Sequence, residues 1–142
     1  MVNYLQGDRM SILRYIGIPY VVGGESFEAS DCYGICKLYA KNELNIILPT
    51  YMYSNLDNEA VAEVAIKAAA HGLGDKWEKV SEPKHGDVLT FRIFGHEVHC
   101  GIVLDNPTQF LHSLKGRTSC MEELSHVNWK HRLTGVYRWN NN

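Results

Sequence analysis

Long apolar runs are missing from this chain of 142 residues. No stretch approaches the roughly 18–20 consecutive apolar residues that a membrane-crossing helix needs, so no membrane partner is expected. Cysteine is sparse, with four in all, too few for the dense disulfide framework of a small secreted scaffold. Reduced thiols are therefore the expectation. Proline is equally scarce at four, and no Pro/Gly/Ser-rich linker, internal repeat or low-complexity tract interrupts the chain. Excess charge of one sign is absent too. Lys and Arg total 14 against 16 Asp and Glu, and the net charge of -2 removes the electrostatic drive toward nucleic acid or anionic lipid. Met1 to Arg14 interleaves charged and apolar residues and shows no apolar run with a small-residue cleavage site. The expectation is a chain made in the cytoplasm that stays there or leaves by assembly into something larger.

What remains is the composition of an ordinary folded protein, 45% hydrophobic and 21% charged. Its length suits one domain spanning 1–142. The first half has helical periodicity. Met10, Leu13 and Ile16 mark a helix over Gln6 to Ile16, closed by Gly17 and Pro19. Cys32, Ile35, Cys36 and Tyr39 form the i, i+3, i+4, i+7 stripe of a second helix over Cys32 to Leu44. A third covers Asp57 to Ala70. From Gly86 the period shortens. Asp87 to Ile93, Val98 to Leu104, Gln109 to Ser113 and Thr134 to Trp139 are short, rich in β-branched and aromatic residues, and separated by turn signals. Helices followed by strands predict an α+β domain with N-terminal helices packed on a central antiparallel sheet.

Asp31 precedes the second helix and has the chemistry of an N-cap, which places Cys32 in the first turn. A thiol there faces the positive end of the helix dipole, and a lowered pKa is the expectation. The thiolate form is the nucleophile, so Cys32 is the candidate catalytic residue, against the plainer role of filling the apolar stripe. A base has to come from elsewhere in the chain, and His99 and His112 are the candidates. A two-residue turn pairing Asp105 with Thr108 sets Gly101 opposite His112. His99, Gly101, Val103, Phe110 and His112 then share one face, and Val98, Cys100, Ile102, Leu104 and Leu111 the other. A three-residue loop separates the histidines. In the first register His99 takes the Cys32 proton, His112 fixes the tautomer of His99, and Gly101 leaves open space between the rings.

His71, His85, His96, His126 and His131 are assigned to solvation. His96, His99, Cys100 and His112 are acceptable zinc donors, but neighbouring strand residues point to opposite faces, so neither a metal site nor a cofactor is expected. Trp77, Trp129 and Trp139 read as packing residues, Cys36 and Cys100 as buried, and Cys120 as a free thiol.

Gly17-Ile18-Pro19-Tyr20-Val21-Val22-Gly23-Gly24, then Asp31-Cys32-Tyr33-Gly34 and Leu48-Pro49, resemble the opening of the NlpC family of papain-like cell-wall endopeptidases. Gly86-Asp87-Val88-Leu89-Thr90-Phe91, His99-Cys100-Gly101-Ile102-Val103, Phe110-Leu111-His112-Ser113 and Gly135-Val136-Tyr137-Arg138 continue the resemblance in order, from Gly17 to Arg138.

The resemblance implies a papain-like fold with Cys32 as nucleophile, His99 as base and His112 as third catalytic residue. It implies that Tyr20 shapes the oxyanion region beside the Cys32 N–H, and that Asp31 reads a substrate amine in addition to capping the helix. The implied reaction is hydrolysis of peptidoglycan stem peptides between D-γ-glutamate and the diamino acid, through a thioester. The usual family pattern has serine after the nucleophile. Tyr33 at that position resembles the subgroup of phage and prophage tail-assembly proteins, and it is placed to narrow the substrate groove. Other tail proteins are the partners so implied. A structural tail-tip protein and a thiol amidase or acyltransferase are the alternatives. Tyr51 and Tyr53 are candidates for the groove border.

Overall fold

The computed structural model of the chain describes residues 12–50, 76–93 and 96–140. The expected helix over Asp57 to Ala70, most of that over Gln6 to Ile16, and Tyr51 and Tyr53 lie outside the described residues. Helix α1, Cys32–Leu44, has the predicted bounds. The Asp31 carboxylate caps its N-terminus by accepting from the Gly34 N–H at 2.6 Å. Its C-terminus stops at Asn45, which takes the left-handed conformation at φ 56° that asparagine tolerates.

Six strands form one sheet: β1 (Trp77–Val80), β2 (Val88–Ile93), β3 (His96–Val103), β4 (Gln109–His112), β5 (Cys120–Glu123) and β6 (Leu133–Trp139). The spatial order is β1-β6-β2-β3-β4-β5 and every pairing is antiparallel. A single helical turn, α2 (Val127–Lys130), precedes β6 and is capped by the His126 side chain. The predicted register of β3 and β4 is the observed one. Gly101 pairs with His112, Ile102 with Leu111 and Val103 with Phe110.

That register divides the core between the two faces of the sheet. Helix α1 lies against β3 and β4. Its Cys32, Ile35, Cys36 and Tyr39 are buried in one apolar cluster with Cys100, Ile102, Leu104 and Leu111. The opposite face carries Leu89, Phe91, Val103, Phe110, Trp129 and Val136. Burying a side chain of this size is worth about 1.5–3 kcal/mol, so the two clusters hold most of the fold's driving force. A bidentate pair between half-buried Arg138 and buried Asp87 ties the sheet's far side. Arg138 donates through Nε and Nη2 to the two Asp87 oxygens, each at 2.8 Å, and the Lys84 N–H also donates to Asp87.

Candidate active site

The approach to α1 is built by glycine and one carboxylate. Gly23 takes φ +85°, a conformation strained for other residues, and its N–H donates to Asp31 Oδ2 at 2.8 Å. A Cβ on Gly34 would collide with the Gly24 carbonyl oxygen, so only glycine lets the loop press onto the first helical turn. Asp31 is fully buried and uses both carboxylate oxygens on backbone N–H groups. Capping is therefore the role its surroundings display.

Cys32 opens the helix with its side chain buried. Tyr20 is half-buried near it, and burial pushes the Tyr20 pKa far above the usual phenol range. Tyr20 and the Cys32 N–H thus stand side by side as hydrogen-bonding groups at a helix N-terminus, where negative charge is favoured. Tyr33 is also buried, and its hydroxyl donates to the Pro49 carbonyl at 2.6 Å. It tethers the Leu48-Pro49 segment to the helix.

The expectation of an activated thiolate does not hold in this arrangement. The thiol of Cys32 lies against that of Cys100, and this contact together with complete burial raises its pKa well above the ordinary thiol value. Burial outweighs the helix dipole here, because a dipole worth of order 1 kcal/mol meets a desolvation cost of several. Cys32 at rest is a neutral thiol that needs a base.

His99 and His112 are brought together as the register requires. His99 Nε2 and His112 Nδ1 are 2.7 Å apart, and both rings are almost fully buried. Desolvation, reinforced for His99 by the neighbouring His112, lowers both pKa values, so the pair is neutral at neutral pH. Gly101 does not leave open space between the rings. A Cβ there would lie 2.9 Å from Phe110 Cδ2 and 3.3 Å from the His112 Cβ, so the missing side chain admits a tight fit.

Strand parity separates this pair from Cys32. Cys100 faces α1, and His99, next along β3, faces the other cluster. Among the described residues no hydrogen bond joins Cys32 to His99; the thiol sits against the neighbouring residue of the same strand.

Two residues of the candidate site escaped the sequence reasoning. Glu122 Oε2 lies 3.1 Å from His112 Nε2 and completes a chain of contacts, His99 to His112 to Glu122. An ionised carboxylate only accepts, so His112 Nε2 carries a proton and its Nδ1 accepts from the His99 Nε2–H. His99 Nδ1 is left with a lone pair. Glu122 thereby fixes the tautomer in which His99 is able to accept a proton at Nδ1. The second is Trp129, whose ring centroid lies 4.7 Å from that of His112 and 6.0 Å from that of His99. With Phe91 at 5.9 Å from His99 it walls the pair from water. The available signal was the alternation Cys120, Glu122 on a strand opposite Phe110 and His112, missed because β5 was not predicted.

The fold is shared with known proteins. The model of the NlpC/P60 family matches residues 17–138. The chain belongs to the NlpC/P60 family. It is similar to a curated relative, the Gamma-DL-glutamyl hydrolase of Bacillus subtilis (strain 168), at 30% identity over 131 residues. That match takes in 90% of this chain and 28% of the relative, so the chain spans little more than a quarter of it. Among solved structures, an NLP/P60 family protein of Staphylococcus aureus, described as similar to lipoprotein, superposes with a TM-score of 0.61 at 26% identity. It covers 94% of this chain and 40% of that one. The NlpC/p60 domain of the peptidoglycan hydrolase SagA gives 0.58 at 18% identity, over 92% of this chain and 94% of that domain, and supports the fold. The mixed α+β architecture with one antiparallel sheet is thus that of the NlpC/P60 structures.

Proposed function

We propose that the chain is a cysteine peptidase that hydrolyses peptidoglycan stem peptides at the γ-D-glutamyl-diamino acid bond. The observation that carries this reading is the placement of Cys32 at a capped helix N-terminus packed on β3 and β4, the two strands that bear His99 and His112. The named activities of the hydrolase relatives agree with it.

The chemistry follows from the neutral resting groups. Turnover on this reading requires the Cys32 side chain to leave Cys100 and turn to His99, so that its proton passes to Nδ1 as Sγ attacks the peptide carbonyl. The Cys32 N–H and the Tyr20 hydroxyl stabilise the resulting oxyanion. The C–N bond breaks as the amine collects the proton from His99, leaving a thioester. A water activated by the same imidazole hydrolyses it and regenerates the thiol. Cleavage of muropeptides containing γ-D-glutamyl-diaminopimelate, followed by mass spectrometry with Cys32→Ala as control, tests the assignment.

The tail-component reading rests on Tyr33 following Cys32, as in phage and prophage tail proteins, and belongs with synthesis in the cytoplasm and delivery within a virion tail. One observation favours a second reading, a tail-tip protein of little turnover: Cys32 packs with Cys100 on the face of the sheet opposite His99. A thiol-directed affinity reagent separates the two. Rapid labelling of Cys32 that depends on His99 supports turnover, and an inert Cys32 supports the structural role.

A further inference from the structure

Cys120, the one free thiol that is not buried, stands opposite His112 on the neighbouring strand, and Glu122 lies two residues on, on the same face of β5. His112 Nε2 is 3.4 Å from Cys120 Sγ and 3.1 Å from Glu122 Oε2, and the sulfur and carboxylate are 3.9 Å apart. These separations define a point about 2.0 Å from all three atoms, against zinc bond lengths of about 2.0–2.3 Å to nitrogen, oxygen and sulfur. An ion lifted slightly from their plane meets all three at bonding distance and keeps a fourth, outward position. The donor set of imidazole, thiol and carboxylate suits zinc rather than magnesium or calcium. His112 is buried and its other ring nitrogen is held by His99, which is how a metal-binding imidazole is usually fixed. Cys120 and Glu122 are half-buried, so an ion has a route in.

We propose that His112, Cys120 and Glu122 form a zinc site whose occupation switches the hydrolase off. The site stands on its own geometry; its effect on turnover rests on the peptidase reading. Zinc takes the Nε2 lone pair of His112, the thiol proton of Cys120 goes to solvent, and the imidazole proton moves from Nε2 to Nδ1. The bond to His99 then reverses, with His112 Nδ1–H donating to His99 Nε2. The proton that His99 carried on Nε2 moves to its own Nδ1. That is the atom that has to accept the Cys32 proton, so the base is lost with no change in fold. The carboxylate that fixes the active tautomer is the one the metal recruits.

The test uses the reduced, metal-free chain and Co²⁺ as a spectroscopic probe, without substrate. One ion binds per chain with a sulfur-to-cobalt charge-transfer band in the near ultraviolet. Cys120→Ser abolishes the band and weakens binding at least about tenfold, the lower bound for losing even an outer partner of a metal site. Glu122→Gln weakens binding and keeps the band, and Cys32→Ser alters neither. Failure of wild type to saturate at one ion overturns the site, and so does a band that survives Cys120→Ser and disappears in Cys32→Ser. Muropeptide hydrolysis is then compared with and without Zn²⁺, each protein against its own rate in chelator. Slowing of wild type by tenfold or more that is absent in Cys120→Ser supports the switch. Undiminished turnover with the site filled overturns it. A chain inactive even in chelator defeats the peptidase reading, while the cobalt titration still decides the metal site.

Discussion

Replacing Glu122 by alanine isolates the claim that a carboxylate at the end of the histidine chain sets the base. The substitution removes the acceptor 3.1 Å from His112 Nε2 and leaves the 2.7 Å contact between the histidines in place. A hydrogen bond to a charged partner is worth about 1.5–3 kcal/mol, or about 10- to 150-fold in rate if all of it acts in the transition state. The Glu122 side chain is 27% exposed, so water replaces part of what is lost. The lower end applies, a fall of about 10- to 30-fold in kcat with KM nearly constant, because the carboxylate acts on the base and not on bound substrate. Glu122→Gln retains an acceptor oxygen without the charge and is expected between the two. Glu123→Ala is the control. Glu123 is the next carboxylate on β5, accepts from the exposed Gln109 amide and lies off the histidine chain. The assay is initial-rate hydrolysis of a defined muropeptide in chelator, at several substrate concentrations. A Glu122→Ala enzyme within threefold of wild type, or one that loses only in KM, refutes the tautomer argument.

Other expectations follow from the same geometry. Gly101→Ala forces a Cβ to 2.9 Å from Phe110 and 3.3 Å from His112. Overpacking of this kind costs about 1–3 kcal/mol, so denaturant melts are expected to show that loss together with a larger drop in kcat. Trp129→Ala empties the wall beside both histidines and is expected to cost about 3–5 kcal/mol, with water entry raising the His99 pKa toward its ordinary value in an NMR titration. Because the folded-state pKa values of His99 and His112 lie below 6.5, the unfolded chain binds more protons as pH falls through that value. Stability is therefore complete above about pH 6.5 and declines on acidification below it, a loss that His99→Gln is expected to reduce in melts at pH 5 to 7.

Much of the site was legible in the sequence because its logic is local. Asp31 before an apolar stripe named the helix start, and the Asp105-to-Thr108 turn named the register that pairs Gly101 with His112. Parity then placed His99 and His112 together. The same parity placed Cys100, not His99, on the face that receives α1, a consequence that turns the resting thiol away from its base. The pKa of Cys32 was misjudged because helix dipole and N-cap are readable along the chain, whereas full burial against Cys100 is a property of packing. Strand β1 was missed because Trp77–Val80 sets two adjacent charged residues between its apolar ends, breaking the period of two, and is only half-covered at the sheet edge. Strand β5 was missed because Cys120–Glu123 ends in two acidic residues, which depress strand propensity, and it is held by pairing to β4 alone. With β5 went Glu122, and with the single turn of α2 went the enclosing role of Trp129.

The central claim is that Cys32 turns over a γ-D-glutamyl peptide with His99 as its base. Mass-spectrometric analysis of a diaminopimelate-containing muropeptide incubated with wild type, Cys32→Ala and His99→Ala tests it most directly. The account predicts cleavage at the γ-D-glutamyl bond by wild type and none by either variant. Intact muropeptide with wild type in chelator, or cleavage that persists in Cys32→Ala, contradicts it.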